Sequence, residues 1–215
     1  MARAPRICFP GAVFHVIQRG NYQQEIFSDD QDRWHYLKLL LEAKKQFGII
    51  VYGYILMPNH IHLILEITNE TPISKVVHYI AASYALYFNK KYDRIGHLFQ
   101  GRFKSILVEK DNYLLELSRY LHLNPVKAGL VKRPEDYIWS SYSIYLGRRR
   151  DLLINTKFIL DLFSPKKDSD RYVAYKQFVE EGLECLKEEE DWFRQNLRRQ
   201  RFLASKPFID KIIKK

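Results

Sequence analysis

The stretch IIVYGYILMPNHIHLILEI, residues 49–67, decides the fold because it holds two apolar, β-rich segments joined by a short turn at residues 57–59. Two such segments around a turn are typical of an antiparallel hairpin. Successive side chains of a strand point to opposite faces, so His60 and His62 share one face while Ile61 points to the other. The sequence therefore predicts a hairpin that carries two imidazoles on one face, near its turn.

The pair of histidines raises the question of a metal site. Two imidazoles on one strand face lie about 6–7 Å apart and can converge on one metal ion from the same side. The same spacing also fits a strand whose two histidines lie on a solvated or hydrogen-bonded face. A motif this short occurs in many unrelated sequences, so the pair alone does not decide between the two interpretations.

Strand-like and helix-like segments alternate around this hairpin. The order strand, helix, strand, strand, helix, strand, helix predicts an α+β fold with one antiparallel sheet. The predicted elements are a strand over residues 12–19, a helix from a capping box at Ser28–Gln31 to Gly48, the hairpin, a second helix from Thr71 and Pro72 to about Lys91, a strand over 102–109, and a third helix that Asp111 caps and that ends or bends at Asn124-Pro125.

The last third of the chain differs in composition. Residues 180–191 carry seven acidic side chains, whereas residues 194–215 carry eight Lys and Arg against one Asp. We interpret the acidic block as a solvated helix with i,i+4 ion pairs. The basic block is interpreted as an arm that binds nucleic acid, and disorder is the alternative for it. The prediction is a first domain over residues 1–150 and a helical C-terminal extension with a basic tail over residues 151–215.

The overall charge favours a polyanionic partner. The 215 residues include 35 Lys and Arg against 25 Asp and Glu, a formal net charge of +10, which indicates nucleic acid before an anionic membrane. No apolar run approaches the roughly 20 residues that span a bilayer, so an integral membrane protein is not predicted, and a membrane-surface protein has only the charge in its favour. The two cysteines exclude a disulfide framework and a Cys-based zinc site. The cytoplasm is the expected compartment.

The third predicted helix supplies groups that a catalytic metal site needs beyond two histidines. Tyr120 and Asn124 are four residues apart and therefore lie on adjacent parts of one helix face. The carboxamide oxygen of Asn124 suits a hard divalent ion, and the hydroxyl of Tyr120 can attack phosphorus. Together with His60 and His62, these groups predict phosphoryl transfer on nucleic acid, assisted by Mg²⁺ or Mn²⁺.

Several separated motifs, in a fixed order, resemble those of a known family. They are RICFPGAVFHVIQRGN (6–21), MPNHIHLIL (57–65), GHLFQGRFKSILVEKDNYLLELSRYLHLNPVKAGLV (96–131) and PEDYIWSSY (134–142). The chain resembles the REP-associated tyrosine transposases, which belong to the single-tyrosine HUH transposases; HUH denotes His, a hydrophobic residue and His. The resemblance covers roughly the first two thirds of the chain, to about Leu146.

The resemblance implies a ferredoxin-like (RRM-like) sheet packed by helices, with His60 and His62 on a central strand as metal ligands. It implies Tyr120 as the nucleophile and Asn124 as a third polar ligand. The implied activity is cleavage and rejoining of single-stranded DNA beside a hairpin, through a 5′-phosphotyrosine and a free 3′-hydroxyl. The implied partner is single-stranded DNA with REP-like hairpins. Family members differ in whether the tyrosine helix serves its own histidine pair or a partner's, so a monomer and a homodimer both stay open.

Six side chains near the predicted site are candidates for contact with DNA. They lie on segments that border the histidine pair in such a sheet, or just past the tyrosine, although ordinary surface charge is the alternative for each of them. These residues are Arg19, Asn21, Arg94, Arg102, Lys104 and Lys127.

Alternatives stay open for individual site residues. Tyr113 also lies on the third predicted helix and could replace Tyr120 as the nucleophile, and Glu116 could replace Asn124 as the oxygen ligand. Three further histidines are predicted to be packing or surface residues and not ligands; they are His15, His97 and His122.

Two other functions compete with a transposase. Ferredoxin-like sheets also serve as RNA-binding modules, so one alternative is a non-catalytic protein that binds single-stranded nucleic acid. A binding protein of this kind has no common chemical role for His60, His62 and Tyr120. The other alternative is a metal-dependent hydrolase in which water is the nucleophile and Tyr120 is structural. A covalent protein–DNA adduct distinguishes the transposase from both.

Overall fold

The computed structural model describes residues 6–163, 168–199 and 201–213, without the side chains of residues 168, 169 and 190. Its first part is a β-α-β-β-α-β unit followed by a further helix. The elements are β1 (Val13–Arg19), α1 (Asp30–Phe47), β2 (Ile50–Leu56), β3 (His60–Glu66), α2 (Ile73–Lys91), β4 (Lys104–Val108) and α3 (Lys110–Lys127).

The first four strands form an antiparallel sheet in the order β2-β3-β1-β4. This order, together with the β-α-β-β-α-β sequence of elements, is the ferredoxin-like arrangement. The predicted hairpin is present, since β2 pairs with β3. The strand that carries His60 and His62 has β2 on one side and β1 on the other, so it is a central strand. The predicted α+β fold is confirmed.

The face of the sheet that carries the histidines is the face on which α3 packs. Gly53 on β2 pairs with Ile64 on β3, and a Cβ atom on Gly53 would lie 2.9 Å from the Leu121 side chain of α3. Alternation along β3 places His60 and His62 on the same face as Ile64. A glycine at position 53 therefore lets the helix that carries Tyr120 approach the strand that carries the histidines.

The second part of the chain adds five helices and two short strands in the described residues. The two strands extend the same sheet, because β6 pairs in parallel with β4 and β5 pairs with β6. The elements are α4 (Tyr142–Tyr145), α5 (Lys157–Asp161), α6 (Asp168–Glu184), α7 (Leu186–Asn196), β5 (Leu197–Arg198), β6 (Phe202–Leu203) and α8 (Lys206–Ile213).

The charged blocks of the C-terminal part differ from the expectation. Phe202, Leu203 and Ile209 of the basic block are buried, so its described residues form packed elements and not a free arm. In the acidic block, Glu189 is buried and its carboxylate lies 2.7 Å from the Arg119 guanidinium on α3. Both differences arise because apolar residues between the charges attach these segments to the sheet and to α3. The division at residue 150 stays a prediction.

Both outer strands of the ferredoxin-like sheet carry contacts from later parts of the chain. At β4, the backbone N–H groups of Leu107 and Glu109 donate to the carbonyls of Arg201 and Leu203, at 2.8 and 2.9 Å. At β2, isolated bridges join residue 51 to residue 154 and residue 55 to residue 140. No helix of the described residues is long and apolar enough to cross a membrane.

Three predicted helix starts are displaced in the structure. The third helix begins at Lys110, after Glu109, so Asp111 lies within its first turn and does not cap it. The capping box of α1 lies one residue later than predicted: Asp29, not Ser28, accepts from the backbone N–H of Asp32, at 2.9 Å. The Asp32 carboxylate accepts in return from the backbone N–H groups of residues 28 and 29. For α2 the residue before the first turn is Pro72. At the start of α1, the side chains of Asp29 and Asp32 thus accept the hydrogen bonds of backbone N–H groups, the role that was expected for Ser28 and Gln31.

The sequence predicted that the third helix ends or bends at Asn124-Pro125; the helix does not end there but continues to Lys127. A proline within a helix has no N–H for the carbonyl four residues earlier, here that of Leu121. The Asn124 side-chain amide donates to that carbonyl at 3.3 Å and to the Tyr120 carbonyl at 2.8 Å. The side chain thus supplies the hydrogen bond that the proline removes, and the last turn of α3 stays helical.

Candidate active site

His60 and His62 lie at the start of β3, with their ring centroids 5.0 Å apart. In the sheet His60 is opposite Arg19 and His62 is opposite Ile17 of β1. His62 is buried and His60 is half-buried. The two imidazoles therefore lie side by side on the α3 face, as the alternation of the strand predicted.

Each of these imidazoles has a hydrogen bond at its Nδ1 atom. His60 Nδ1 lies 2.6 Å from Asn59 Oδ1, and His62 Nδ1 lies 2.8 Å from Nε2 of His15. Metal-ligating histidines are held by a hydrogen bond at the ring nitrogen that does not bind the metal. This pattern leaves Nε2 as the nitrogen through which each ring can bind an ion.

The protein environment keeps these rings neutral. Burial, and next the charge of Arg19, lowers the pKa of His60 to about 4. Burial also lowers the pKa of His62 well below its ordinary value and that of His15 to about 3. Only a neutral imidazole has a lone pair for a metal, so both histidines of the pair are able to act as ligands at neutral pH.

Tyr120 of α3 faces the same region. Its ring centroid lies 6.3 Å from that of His15, and the two rings are nearly perpendicular. On one side the ring stacks on Phe193 of α7, at 4.4 Å and 12°. The Nζ atom of Lys127 lies 4.4 Å from the ring centroid. The predicted nucleophile and the predicted ligands thus share one side of the sheet, connected through His15.

The alternatives to Tyr120 and Asn124 point elsewhere. The ring of Tyr113 packs against Trp192, with centroids 6.2 Å apart. The carboxylate of Glu116 lies 2.5 Å from the guanidinium of Arg119. These contacts direct both side chains toward the C-terminal helices, whereas the ring of Tyr120 faces His15.

The donor set fits a hard divalent ion only when an oxygen ligand joins the histidines. No group of three or more His, Cys, Asp or Glu side chains in the described ranges is placed to hold a metal. Because the amide nitrogen of Asn124 donates to two helix carbonyls, its oxygen is the atom that can point away from the helix. Two imidazoles and a carboxamide oxygen leave open coordination positions for water and a phosphate oxygen.

Three of the six candidate DNA-contact residues line one cleft, of about 250 Å³. Ile17 also lines it, and this residue is opposite both His62 and Lys104 in the sheet. Burial, and next the charge of Arg19, lowers the pKa of Lys104, as expected where positive charges lie close together. The cleft adjoins the histidine pair, and its lining residues are Ile17, Arg19, Gln100, Arg102, Phe103 and Lys104.

Two of the other candidate DNA-contact residues lie in segments that adjoin the strands of this cleft, and the third lies at the tyrosine. Asn21 is half-buried in the turn after β1, where its backbone N–H donates to the Leu98 carbonyl at 2.8 Å. Arg94 hydrogen-bonds the Gln24 side chain in the same turn. Lys127 lies beside Tyr120. All six candidates are therefore on β1, on β4, at the segments that adjoin these strands, or at the tyrosine.

Two residues that contact the site were not among those predicted to belong to it. The sequence predicts a packing or surface role for His15, but the structure shows its Nε2 atom in a hydrogen bond with His62 Nδ1. Alternation along β1 could have indicated this contact, because it places His15 on the same face as Ile17. It becomes informative only with the register of β1 against β3, which puts Ile17 opposite His62. Phe193 lies in a region without a recognisable motif, and nothing in the sequence indicated its contact with Tyr120. The other two histidines agree with the prediction, since His97 is exposed and His122 is buried in the core.

Comparisons with known proteins find similar solved structures. One similar solved structure is that of a REP-associated tyrosine transposase bound to a REP hairpin; it is 18% identical, with 69% of this chain and 87% of that chain covered and a TM-score of 0.58. A putative transposase from Deinococcus radiodurans R1 is 17% identical over 54% of this chain and 94% of that one, with a TM-score of 0.40. No curated protein matches the chain.

The family comparison covers the elements that build the site. The family described as IS200-like transposases matches residues 8–124, which span β1 to most of α3 and include both histidines and Tyr120. This match is longer than half of the chain, and it confirms the family resemblance noted in the sequence. The chain therefore belongs to the IS200-like transposases, enzymes that cut and join DNA strands.

Proposed function

We propose that this transposase cleaves and rejoins single-stranded DNA beside a hairpin, with Tyr120 as the nucleophile. The observation that carries the proposal is the common location of the phenol and the histidine pair. The ring of Tyr120 is 6.3 Å from that of His15, which is hydrogen-bonded to His62. A phenol beside two neutral imidazoles, in a protein with a net charge of +10, is suited to covalent attack on a nucleic-acid phosphate.

The residues that hold the divalent cation in this proposal are His60, His62 and Asn124. The two imidazoles bind through Nε2 and the carboxamide through its oxygen. When bound, Mg²⁺ or Mn²⁺ supplies positive charge to the scissile phosphate. The chain's own contribution is to keep both rings neutral and oriented, since each Nδ1 is engaged in a hydrogen bond.

The covalent step uses Tyr120 alone. Its Oη gives up its proton and attacks the phosphorus, the bond to the 3′-oxygen breaks, and this oxygen takes up a proton from water, so that a 5′-phosphotyrosine and a free 3′-hydroxyl result. A free phenol titrates near 10, so the attack requires loss of its proton, and the ammonium of Lys127 places a positive charge beside the ring. Attack of a 3′-hydroxyl on the phosphotyrosine reverses the step, so rejoining needs no external energy source.

The basic cleft orients the DNA strand in this proposal. Arg19, Arg102 and Lys104 line it together with Gln100. Because the cleft lies beside His62, a DNA strand whose phosphates are bound in the cleft extends to the histidines. The similar REP-associated transposase is bound to a REP hairpin, which supports a hairpin-bearing single strand as the substrate here. A non-catalytic binding protein could use the same cleft, but it would form no covalent bond to DNA.

The test is to incubate the protein with Mn²⁺ and hairpin-bearing single strands taken from the DNA that flanks its gene. We expect a 5′ end joined to the protein that survives boiling in detergent, and peptide mapping that places the DNA on Tyr120. Attachment at Tyr113, or cleavage with no adduct, contradicts the assignment of the nucleophile. Tight binding of the hairpin with neither cleavage nor adduct favours the non-catalytic alternative.

A further inference from the structure

One polar side chain beside the site, that of His15, is only partly hydrogen-bonded. The ring of His15 is completely buried on β1, and its Nε2 lies 2.8 Å from His62 Nδ1. Its other nitrogen, Nδ1, has no hydrogen-bond partner among the described residues. A buried polar group with only half of its hydrogen bonds is unfavourable for folding alone, so its retention calls for a functional explanation.

The neighbouring ligand shows what an outer hydrogen bond can do. The Asn59 amide nitrogen donates to the Gln23 carbonyl at 3.4 Å, which directs its oxygen toward His60 Nδ1, at 2.6 Å. An oxygen can only accept, so His60 carries its hydrogen on Nδ1 and its lone pair on Nε2. The structure thus fixes the tautomer of His60.

The tautomer of His62 depends on His15 in the same way. If His62 Nδ1–H donates to His15 Nε2, then His62 Nε2 keeps the lone pair that binds a cation. If His15 Nε2–H donates, then His62 Nε2 carries a hydrogen and cannot be a ligand. A metal-competent pair requires the first arrangement.

We propose that His15 is a positioning residue, which accepts the hydrogen bond of His62 Nδ1–H and so presents the Nε2 lone pair of His62 to the divalent cation. This inference rests on the metal role in the proposed function. In this arrangement His15 carries its hydrogen on Nδ1, the atom without a partner. The aromatic rings of Tyr120 and Phe193 meet that imidazole edge to face, so within the described residues the hydrogen bond to His62 is the one that orients it.

Two substitutions separate positioning from packing. His15→Gln places an amide group near the position of Nε2 and can still accept from His62. His15→Asn extends only to the position of Nδ1 and cannot reach it. Both replace an imidazole by a neutral amide at the same buried site, so their effects on packing are comparable while their contact with His62 differs.

The experiment has two measurements besides activity. Nitrogen-15 NMR of histidine-labelled, metal-free protein reports which nitrogen of His62 carries the hydrogen, and titration calorimetry with Mn²⁺ reports affinity. We expect the Nδ1–H form of His62 in the wild type and in His15→Gln, with similar Mn²⁺ affinities. In His15→Asn we expect a mixture of tautomers and an affinity lower by about 10-fold or more, the range for loss of an outer hydrogen bond to a metal ligand.

The outcomes distinguish this inference from the proposed function. Equal Mn²⁺ affinities of His15→Asn and the wild type, or the Nε2–H form of His62 in the metal-free wild type, overturn the role of His15 and leave the transposase chemistry intact. Mn²⁺ binding that His60→Ala leaves unchanged overturns the metal site itself, and the inference with it. If neither His15 variant folds, the wild-type NMR spectrum still decides the tautomer.

Discussion

The structure contains two fully buried histidines, His15 and His122, that differ in one respect. Burial lowers the pKa of each to about 3. Both nitrogens of His122 have partners: Tyr175 Oη lies 2.8 Å from Nδ1 and Ser141 Oγ lies 2.9 Å from Nε2. His15 has one partner, His62. Burial alone therefore does not separate a structural histidine from one beside an active site, whereas the completeness of its hydrogen bonds does.

The network around His122 has the properties of a structural unit. Tyr175 of α6 donates to Ser118 of α3 at 2.9 Å, and Ser118 donates to the Leu115 carbonyl. His122 Nδ1–H therefore donates to Tyr175, and each hydrogen in this chain has an acceptor. The network joins the C-terminal part of the protein to the helix that carries Tyr120, and it needs no ligand to be complete.

The largest expected effect is loss of the covalent adduct, and it distinguishes the hydroxyl of Tyr120 from that of Tyr175. Tyr120→Phe should abolish the covalent adduct while leaving folding and hairpin binding nearly unchanged, because it removes only the attacking oxygen. Tyr175→Phe should still form the adduct, but should lower the free energy of unfolding by about 1–3 kcal/mol, since the buried His122 and Ser118 lose a partner. Adduct gels and urea denaturation of both variants measure the two effects.

The next effect tests the histidine pair as ligands. His60→Ala and His62→Ala should each lower the cleavage rate by at least about 10²-fold, the loss expected when a principal charge-stabilising group is removed. EDTA should abolish cleavage by the wild type. The exposed His97 provides the control, and His97→Ala should leave the rate unchanged. Full activity in EDTA would show that no metal takes part.

The pH dependence of stability tests the structural histidine. The pKa of His122 is about 3 in the folded protein and near 6.5 when unfolded. Between these values the unfolded chain binds more protons, so this contribution is fully present above pH 6.5 and is lost as the pH falls toward 3. Between pH 6.5 and 5 the loss is about 2 kcal/mol. Urea denaturation at pH 7 and pH 5 should show a smaller difference for His122→Gln than for the wild type; equal differences would contradict the assignment.

The smallest expected effect concerns the basic cleft. Lys104→Ala should weaken binding of all single strands alike and lower the slope of log affinity against log salt by about 1, as for one lost phosphate contact. Lys38→Ala is a matched control, because Lys38 lies on α1 with its side chain 70% exposed. A similar slope change in both variants would indicate that net charge, and not the cleft, sets the affinity.

Much of the sheet could be predicted from local sequence. The run of residues 49–67 encodes both strands of the hairpin, and alternation alone fixes the common face of His60 and His62. Helix ends were less predictable, because they depend on which side chain reaches which backbone group. Pro125 indicated a break in α3, and the compensating hydrogen bonds of Asn124 are visible only once the helix is built.

Contacts between distant segments explain what the sequence did not reveal. His15 joins His62 across 47 positions of the chain, so its role depends on the register of β1 against β3. Phe193 reaches Tyr120 from α7, which is attached to α3 by the ion pair between half-buried Arg119 and buried Glu189. A charged segment can pack in this way only when its partner is in place, and composition alone predicted a solvated helix.

The pairing of β6 with β4 has a consequence for aggregation. An uncovered edge strand presents a row of free N–H and C=O groups, on which strands of other molecules can add. In this protein, residues 201–203 occupy the end of that row at β4. A chain shortened before residue 197 therefore presents Leu107 and its neighbours as an open edge. We expect such a fragment to self-associate as its concentration rises, even where its histidines and Tyr120 are unchanged.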